Sequence, residues 1–194
     1  IKAKNNHDQE NALNHVLQGI DRTTHLVEQL LALAKLEPES FSENLESVNL
    51  KNTVIEEAAL LAPLAHKKNI ELSVNECDEL IINADNTSLC LMIRNLLSNA
   101  INYTQDSGNI EISLVTTTES IDLIIEDNGP GIPVEQRQRV FERFYRMENH
   151  DSPGCGIGLS IVMRVAELHN AKLQLGQTKK GTGLIVTIRF PKRQ

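Results

Sequence analysis

Aromatic residues are scarce. There is no Trp, and two Tyr and four Phe are spread over 194 residues, so any cluster of them is informative. Basic patches are lacking too. The 19 Lys and Arg are scattered against 26 Asp and Glu, for a net charge of -7. No basic patch is available to replace counterions along a phosphate backbone, which disfavours nucleic acid as a partner. Cysteines number three, Cys77, Cys90 and Cys155. Their wide spacing fits no zinc pattern, and the odd count argues against a disulfide framework, so a reducing cytoplasm suits the chain. No stretch is long and apolar enough to cross a bilayer. Residues 1–10 are polar and lack the apolar core of a signal peptide. There is no Gly-Lys-Ser or Gly-Lys-Thr, so a P-loop is ruled out. An initiator Met is also missing, and the chain starts inside what reads as a helix, so we expect a piece of a longer protein.

Residues 5–37 contain no Pro and only Gly19. Leu13, Leu17, Ile20, Thr24, Val27, Leu31 and Ala34 recur at alternating four and three spacing, which predicts a helix with a narrow apolar seam. One helix cannot bury such a face alone. A bundle with another helix or chain is favoured over packing on the rest of this chain. Pro38 ends the helix, and residues 38–50 read as a polar connector.

Further on, the pattern predicts a helix over 51–68, short strands at 70–74 and 80–82, and a helix over 86–102 capped by Asp85. Ile110, Ile112 and Leu114, then Ile121, Leu123 and Ile125, alternate with polar residues as two half-buried antiparallel strands. Short helices are expected over 135–145 and 157–169. A closing hairpin carries Leu173, Leu175, Leu184, Val186, Ile188 and Phe190. The fold class is α+β: a two-layer α/β sandwich of helices over one face of a mixed sheet, preceded by the long helix.

Three clusters carry chemistry. Asn95, Asn99 and Tyr103 stand at i, i+4 and i+8, on one helix face. Carboxamides offer oxygens to a hard cation. Being uncharged, they would share magnesium with nucleotide phosphates. Tyr103 can stack on a purine. Alone, the two asparagines would read as local hydrogen-bonding residues. Next, Asp127-Asn128-Gly129-Pro130-Gly131-Ile132 places a carboxylate at a strand end, where it can accept from an adenine amine, beside glycines that let backbone approach a base. Finally, Gly154-Cys155-Gly156-Ile157-Gly158-Leu159 opens a helix whose first N–H groups form an anion site. Between the last two, the segment 141–146 gathers Phe141, Phe144 and Tyr145 with Arg143 and Arg146. Its aromatics can anchor a mobile segment and either arginine can reach a phosphate. Residues 147–153 are polar and should be mobile.

In this order the clusters resemble the N, first glycine, F and second glycine boxes of a bacterial sensor histidine kinase of the GHKL (Bergerat-fold) ATPase superfamily. The flavour is that of OmpR-partnered kinases of the QseC and PmrB kind. Gly181-Thr182-Gly183 resembles the last glycine box. Residues 21–37 resemble the second helix of the dimerisation and phosphotransfer hairpin.

The resemblance implies a domain division at 1–40 (that helix) and 41–194 (an ATP-binding catalytic domain). Asn99 would be the principal magnesium ligand, assisted by Asn95. Asn102 and Tyr103 would lie beside the adenine. Asp127 would bind its amine, with Gly129, Gly131 and Ile132 forming the wall. Arg143 and Arg146 would reach the phosphates. Residues 142–158 would form a lid with Gly154, Gly156 and Gly158 as its closing hinge, and Phe144, Cys155, Ile157 and Leu159 would stand with them among the nucleotide-binding residues. Thr182 would lie near the adenine pocket. The cofactors are then ATP and Mg2+. The partners are a response regulator, expected to be OmpR-type, and a second copy of the parent protein. The location is the cytoplasmic portion of a bacterial inner-membrane protein.

Three departures stand out. Asn102 replaces the Lys, Arg or His often found before the stacking Tyr. Cys155 has no chemical role. No His-Glu phosphoacceptor box occurs: none of His7, His15, His25, His66, His150 and His169 is followed by Glu or has Pro four positions on. The inferred reaction moves the γ-phosphoryl group of Mg-ATP to a histidine outside this chain. Two rivals are a hydrolytic GHKL ATPase of the gyrase B or MutL kind, which would need a Glu where Asn95 stands, and a non-enzymatic binding module.

Overall fold

The computed structural model describes residues 16, 19, 20, 23, 24, 26, 27, 29–31, 44–75, 78–147, 155–178 and 181–192. The described residues between 16 and 31 are helical. Of the expected seam, Ile20, Thr24, Val27 and Leu31 are exposed, while Leu26 packs against the core of the following domain. These four described seam residues do not pack on the rest of the chain, and Leu13, Leu17 and Ala34 lie outside the described residues. Pro38 and the start of the connector lie outside the described residues.

The first strand, β1 (Glu46–Asn49), runs into helix α1 (Leu50–Lys67). β1 lies where the sequence reads as connector, and it is hard to see there because Val48 is its one buried apolar residue. It pairs antiparallel with β3 (Ile81–Ala84) in a separate two-stranded sheet. The Asn49 side chain caps α1 by accepting from Asn52 N–H at 3.3 Å. Leu50, Val54, Ala58 and Ala65 face inward at helical spacing, as an amphipathic helix requires. Between α1 and β3 lies β2 (Glu71–Val74).

Helix α2 (Asn86–Tyr103) begins at Asp85, as expected, whose carboxylate accepts from Ser88 N–H at 2.6 Å. Leu89, Met92, Ile93 and Leu97 are fully buried along it. At the α1–α2 contact the buried Glu57 carboxylate receives Arg94 Nε at 2.9 Å and Arg94 Nη2 at 3.0 Å. This bidentate pair fixes the register of the two helices.

The main sheet has the order β2-β4-β5-β7-β6, with β4 (Asn109–Thr116), β5 (Ser120–Asp127), β6 (Lys172–Gln177) and β7 (Leu184–Pro191). It is mixed: β2 pairs parallel to β4, and the other pairs are antiparallel. Ile110 and Ile112 of β4, Leu123 and Ile125 of β5, and Val186 and Ile188 of β7 supply its inner face. β5 is more than half-buried. It is the central strand, and on its outer side Asp122 is buried beneath Arg189, whose Nη2 lies 2.6 Å from the carboxylate. That guanidinium holds the Asp122 carboxyl below its ordinary range.

After β5 the sequence reads as a helix over 135–145, but the chain forms two single 3-10 turns, Val134–Gln136 and Arg139–Phe141. Val140 is the one buried residue of these turns, too little apolar surface to hold a helix face. Phe144 then takes a left-handed φ of 65°, which ends any helical run. Helix α3 (Gly158–Leu168) follows and packs on α2. The helices cover one face of the sheet, giving the two-layer α+β sandwich.

Candidate functional site

A cavity of about 320 Å³ lies at one end of the sheet, between α2, the loop after β5 and the start of α3. Asn95, Asn99, Asn102 and Tyr103 line it from α2, Asp127, Gly131 and Ile132 from the end of β5 and its loop, and Cys155, Gly156, Gly158 and Leu159 from the entry to α3. Residues from distant parts of the sequence therefore share one concave wall, because α2 and α3 pack side by side above β5.

The two asparagines differ. Asn95 is buried, its amide donates to Leu91 O at 2.8 Å, and its oxygen accepts from Gln29 Nε2 at 3.3 Å. That oxygen also lies only 2.8 Å from where a Cβ on Gly158 would stand. Only glycine at 158 leaves room for the Asn95 carboxamide. Asn99, one turn on, lines the cavity with a carboxamide that has no hydrogen-bond partner among the described residues. Asn102 donates to Ser98 Oγ at 3.4 Å.

Asp127 is buried at the far wall, and one carboxylate oxygen accepts from Gly129 N–H at 2.9 Å. Burial raises its pKa above the ordinary carboxylate value, opposed in part by the N–H groups of Gly129 and Leu184. Around it the backbone is interlocked. Gly131, at φ 73°, would put a Cβ 2.6 Å from Gly183 O. Gly183, at φ 103°, would drive one into Asp127 O. Side chains are excluded at both positions. The last glycine box therefore acts by letting the loop before β7 lie flat on the end of β5.

The remaining expected residues divide. Arg146 lines the cavity, as does Tyr145, whose ring lies 4.4 Å from the Arg139 guanidinium. Arg143 is exposed and outside the lining. Phe144 is 61% exposed, so it anchors nothing. It turns outward with its left-handed backbone while its N–H donates to Gly156 O at 2.8 Å, tying the two ends of the expected lid segment together. Ile157 is fully buried in the core instead of facing the cavity. Gly129 lies behind the wall, tight against Tyr103 O and Asp127. Thr182 is exposed, and its carbonyl accepts from Thr178 Oγ1. Gly154 and residues 148–153 lie outside the described residues. Among the contributors that escaped the sequence reading are Gln29, which enters the cavity from the N-terminal helix, and Tyr145, which the aromatic cluster flagged only collectively.

The cavity holds one carboxylate at one end and, at the other, carboxamides, an arginine and a helix start. This is a polarity suited to a base at one side and phosphates at the other. Residues 84–194 match the model of the histidine kinase-, DNA gyrase B- and HSP90-like ATPase family, to which this chain belongs. It is 37% identical over 183 residues to the sensor protein kinase PmrB of Pseudomonas aeruginosa, covering 94% of this chain and 38% of that protein. It is 32% identical over 177 residues to the sensor protein QseC of Escherichia coli K12, covering 88% of this chain and 37% of that protein. Among solved structures, the mycobacterial sensor histidine kinase MprB superposes with a TM-score of 0.68 at 28% identity, over 76% of this chain and 99% of that one. The chain thus spans less than two fifths of the length of these two curated relatives.

Proposed function

We propose that this chain is the ATP-binding catalytic portion of a sensor histidine kinase. It would deliver the γ-phosphoryl group of ATP to a histidine outside the chain, for relay to a response regulator. The observation that carries this reading is the single cavity shared by Asp127, Asn99 and the glycine-rich start of α3. Asp127 accepts from the adenine amine, and Tyr103 and Ile132 flank the base. The first N–H groups of α3 and the Arg146 guanidinium face the phosphates.

The donor set fits magnesium carried by a nucleotide. Asn99 offers a carboxamide without a partner, Asn95 assists, and no cluster of three acidic, His or Cys side chains among the described residues offers a free-standing ion site. When bound, the ion neutralises charge developing on the phosphates. Arg146 adds to that neutralisation, and the lid segment 142–158 excludes water and aligns the γ-phosphoryl group. The attacking imidazole comes from elsewhere. Both ring nitrogens of His169 are engaged, Nδ1–H donating to Val165 O at 2.8 Å and Nε2 accepting from Asp85 N–H at 3.3 Å. Hydrolysis is disfavoured because the amide of Asn95 cannot take a proton from water.

The division at about residue 40, with a dimerisation helix before it, is part of this reading. The exposed Ile20, Val27 and Leu31 support it as a surface for a second copy. The same reading includes an OmpR-type regulator and a place on the cytoplasmic side of a bacterial inner membrane, for which the kinship with the sensor proteins PmrB and QseC is the support. The test is calorimetry with a non-hydrolysable ATP analogue, with and without magnesium, followed by incubation with labelled ATP. Magnesium-dependent binding without acid-labile label on this chain is expected. Absence of binding at millimolar nucleotide refutes the site, and stable phosphohistidine on this chain refutes the external acceptor.

A further inference from the structure

The last turn of α2 carries Asn102 and Tyr103 into the cavity, and a helix end leaves its final carbonyls without intrahelical partners. Here they find one outside the helix. Nζ of Lys68, the residue that caps α1, lies 2.8 Å from Ile101 O, 3.3 Å from Asn102 O and 2.5 Å from Thr104 O. An ammonium has three donors, and all three are used. The cation also stands at the negative end of the α2 dipole, where α2 has no basic residue of its own.

The carbonyl that Lys68 skips is that of Tyr103. It faces Gly129 so closely that a Cβ there would lie 2.9 Å away. The lysine's own backbone is fastened to the same corner: its carbonyl accepts from Ser107 N–H at 2.9 Å, and Glu71 N–H donates to Gly108 O at 2.9 Å. The carbonyls on either side of Tyr103 are thus gripped by Lys68, and the Tyr103 carbonyl rests against the turn that follows Asp127.

We infer that Lys68 is a positioning residue for the nucleotide site. Without touching the nucleotide, its ammonium fixes the exit of α2, and so the placing of Tyr103 and Asn102 against the base. This rests on the reading of the cavity as an ATP site. Lys68→Met keeps the stem and removes every donor, leaving three carbonyls to water and freeing the last turn. Lys68→Arg keeps charge and donors.

The experiment titrates wild type, K68M and K68R with a non-hydrolysable ATP analogue and magnesium by calorimetry, at a temperature where circular dichroism shows all three folded. Ile188→Val, a core change away from the cavity, serves as a control for general destabilisation. We expect K68M to bind about tenfold more weakly, equivalent to about 1.4 kcal/mol, while K68R stays within about threefold of wild type and I188V is unchanged. Wild-type affinity in K68M overturns the inference, as does an equal loss in I188V. If wild type itself does not bind, it is the ATP-site reading that fails, and the K68M comparison is not what refuted it.

Discussion

Replacing Gly158 by Ala separates the stability of this protein from its function. Gly158 opens α3 with ordinary helical backbone, so alanine introduces no torsional strain and, as the better helix former, gains up to about 1 kcal/mol. The new methyl, however, would stand 2.8 Å from Asn95 Oδ1 and 3.6 Å from Asn99 Nδ2. Asn95 must retreat by several tenths of an ångström. It is buried and holds Leu91 O through its amide, so retreat means an off-rotamer side chain at about 0.5–1.5 kcal/mol or loss of a hydrogen bond worth about 1 kcal/mol. Gain and cost nearly cancel, and the melting temperature should move by no more than a few degrees. The proposed cation site would be less forgiving, because magnesium demands near-octahedral ligands at about 2.0–2.1 Å. A displacement of that size at Asn95, transmitted to Asn99 one turn on, should weaken Mg-nucleotide binding by roughly tenfold or more, about 1.4 kcal/mol. It should also reduce the gain in affinity that magnesium confers. Calorimetry of wild type and G158A, each with magnesium and with chelator, makes the comparison. Unchanged magnesium dependence in a folded G158A protein would refute the steric argument.

Other perturbations follow from the same geometry. Because burial raises the Asp127 pKa, its carboxylate is ionised only above that raised value. ATP affinity should decline as the pH falls through it, at a midpoint above the ordinary carboxylate value of 3.8. The same shift means that the ionised group costs folding stability at neutral pH. Asp127→Asn should therefore melt higher without ligand while binding ATP more weakly, which thermal melts and titrations of one sample will show. His169 is shifted the other way, held neutral by burial. The stability it contributes is present above the ordinary histidine value of 6.5 and is lost as the pH falls through its depressed pKa, so His169→Gln should flatten the urea-midpoint profile in that window. Arg94→Leu leaves the buried Glu57 carboxylate unpaired. With the arginine side chain 53% exposed, screening brings the cost to about 1–2 kcal/mol, measurable by urea denaturation.

Most of the fold was legible because it rests on strong local signals. Asp85 announced α2 through its capping carboxylate, and Ile110, Ile112, Leu123 and Ile125 announced the central strands by alternation. β1 was hidden because four residues with one buried side chain do not differ from loop. The expected helix over 135–145 failed because its periodicity had almost nothing to face. Among the residues that line the cavity, Asp127, Asn99, Tyr103 and Arg146 were candidates from type and spacing, whereas Asn102 came only with the family resemblance. The roles of Gly158 and Gly183 were not legible: each is defined by an oxygen far away in sequence, Asn95 Oδ1 in one case and Asp127 O in the other, and such close approaches leave no local pattern. Gln29 belongs to the same class, since only tertiary packing brings it to Asn95.

The two halves of the cavity are built to different tolerances. Gly131 and Gly183 lock the loops after β5 and before β7 together, and those strands are hydrogen-bonded neighbours whose register runs from Ser120–Pro191 to Asp127–Leu184. In the proposed site the base would therefore sit on the spine of the molecule, whereas the phosphates would be met by the side chains of Asn99 and Arg146 and by one helix start. An adenine nucleotide of any phosphate length finds the same anchor. Spent ADP would occupy the seat about as readily as ATP, and only the phosphate end could tell them apart.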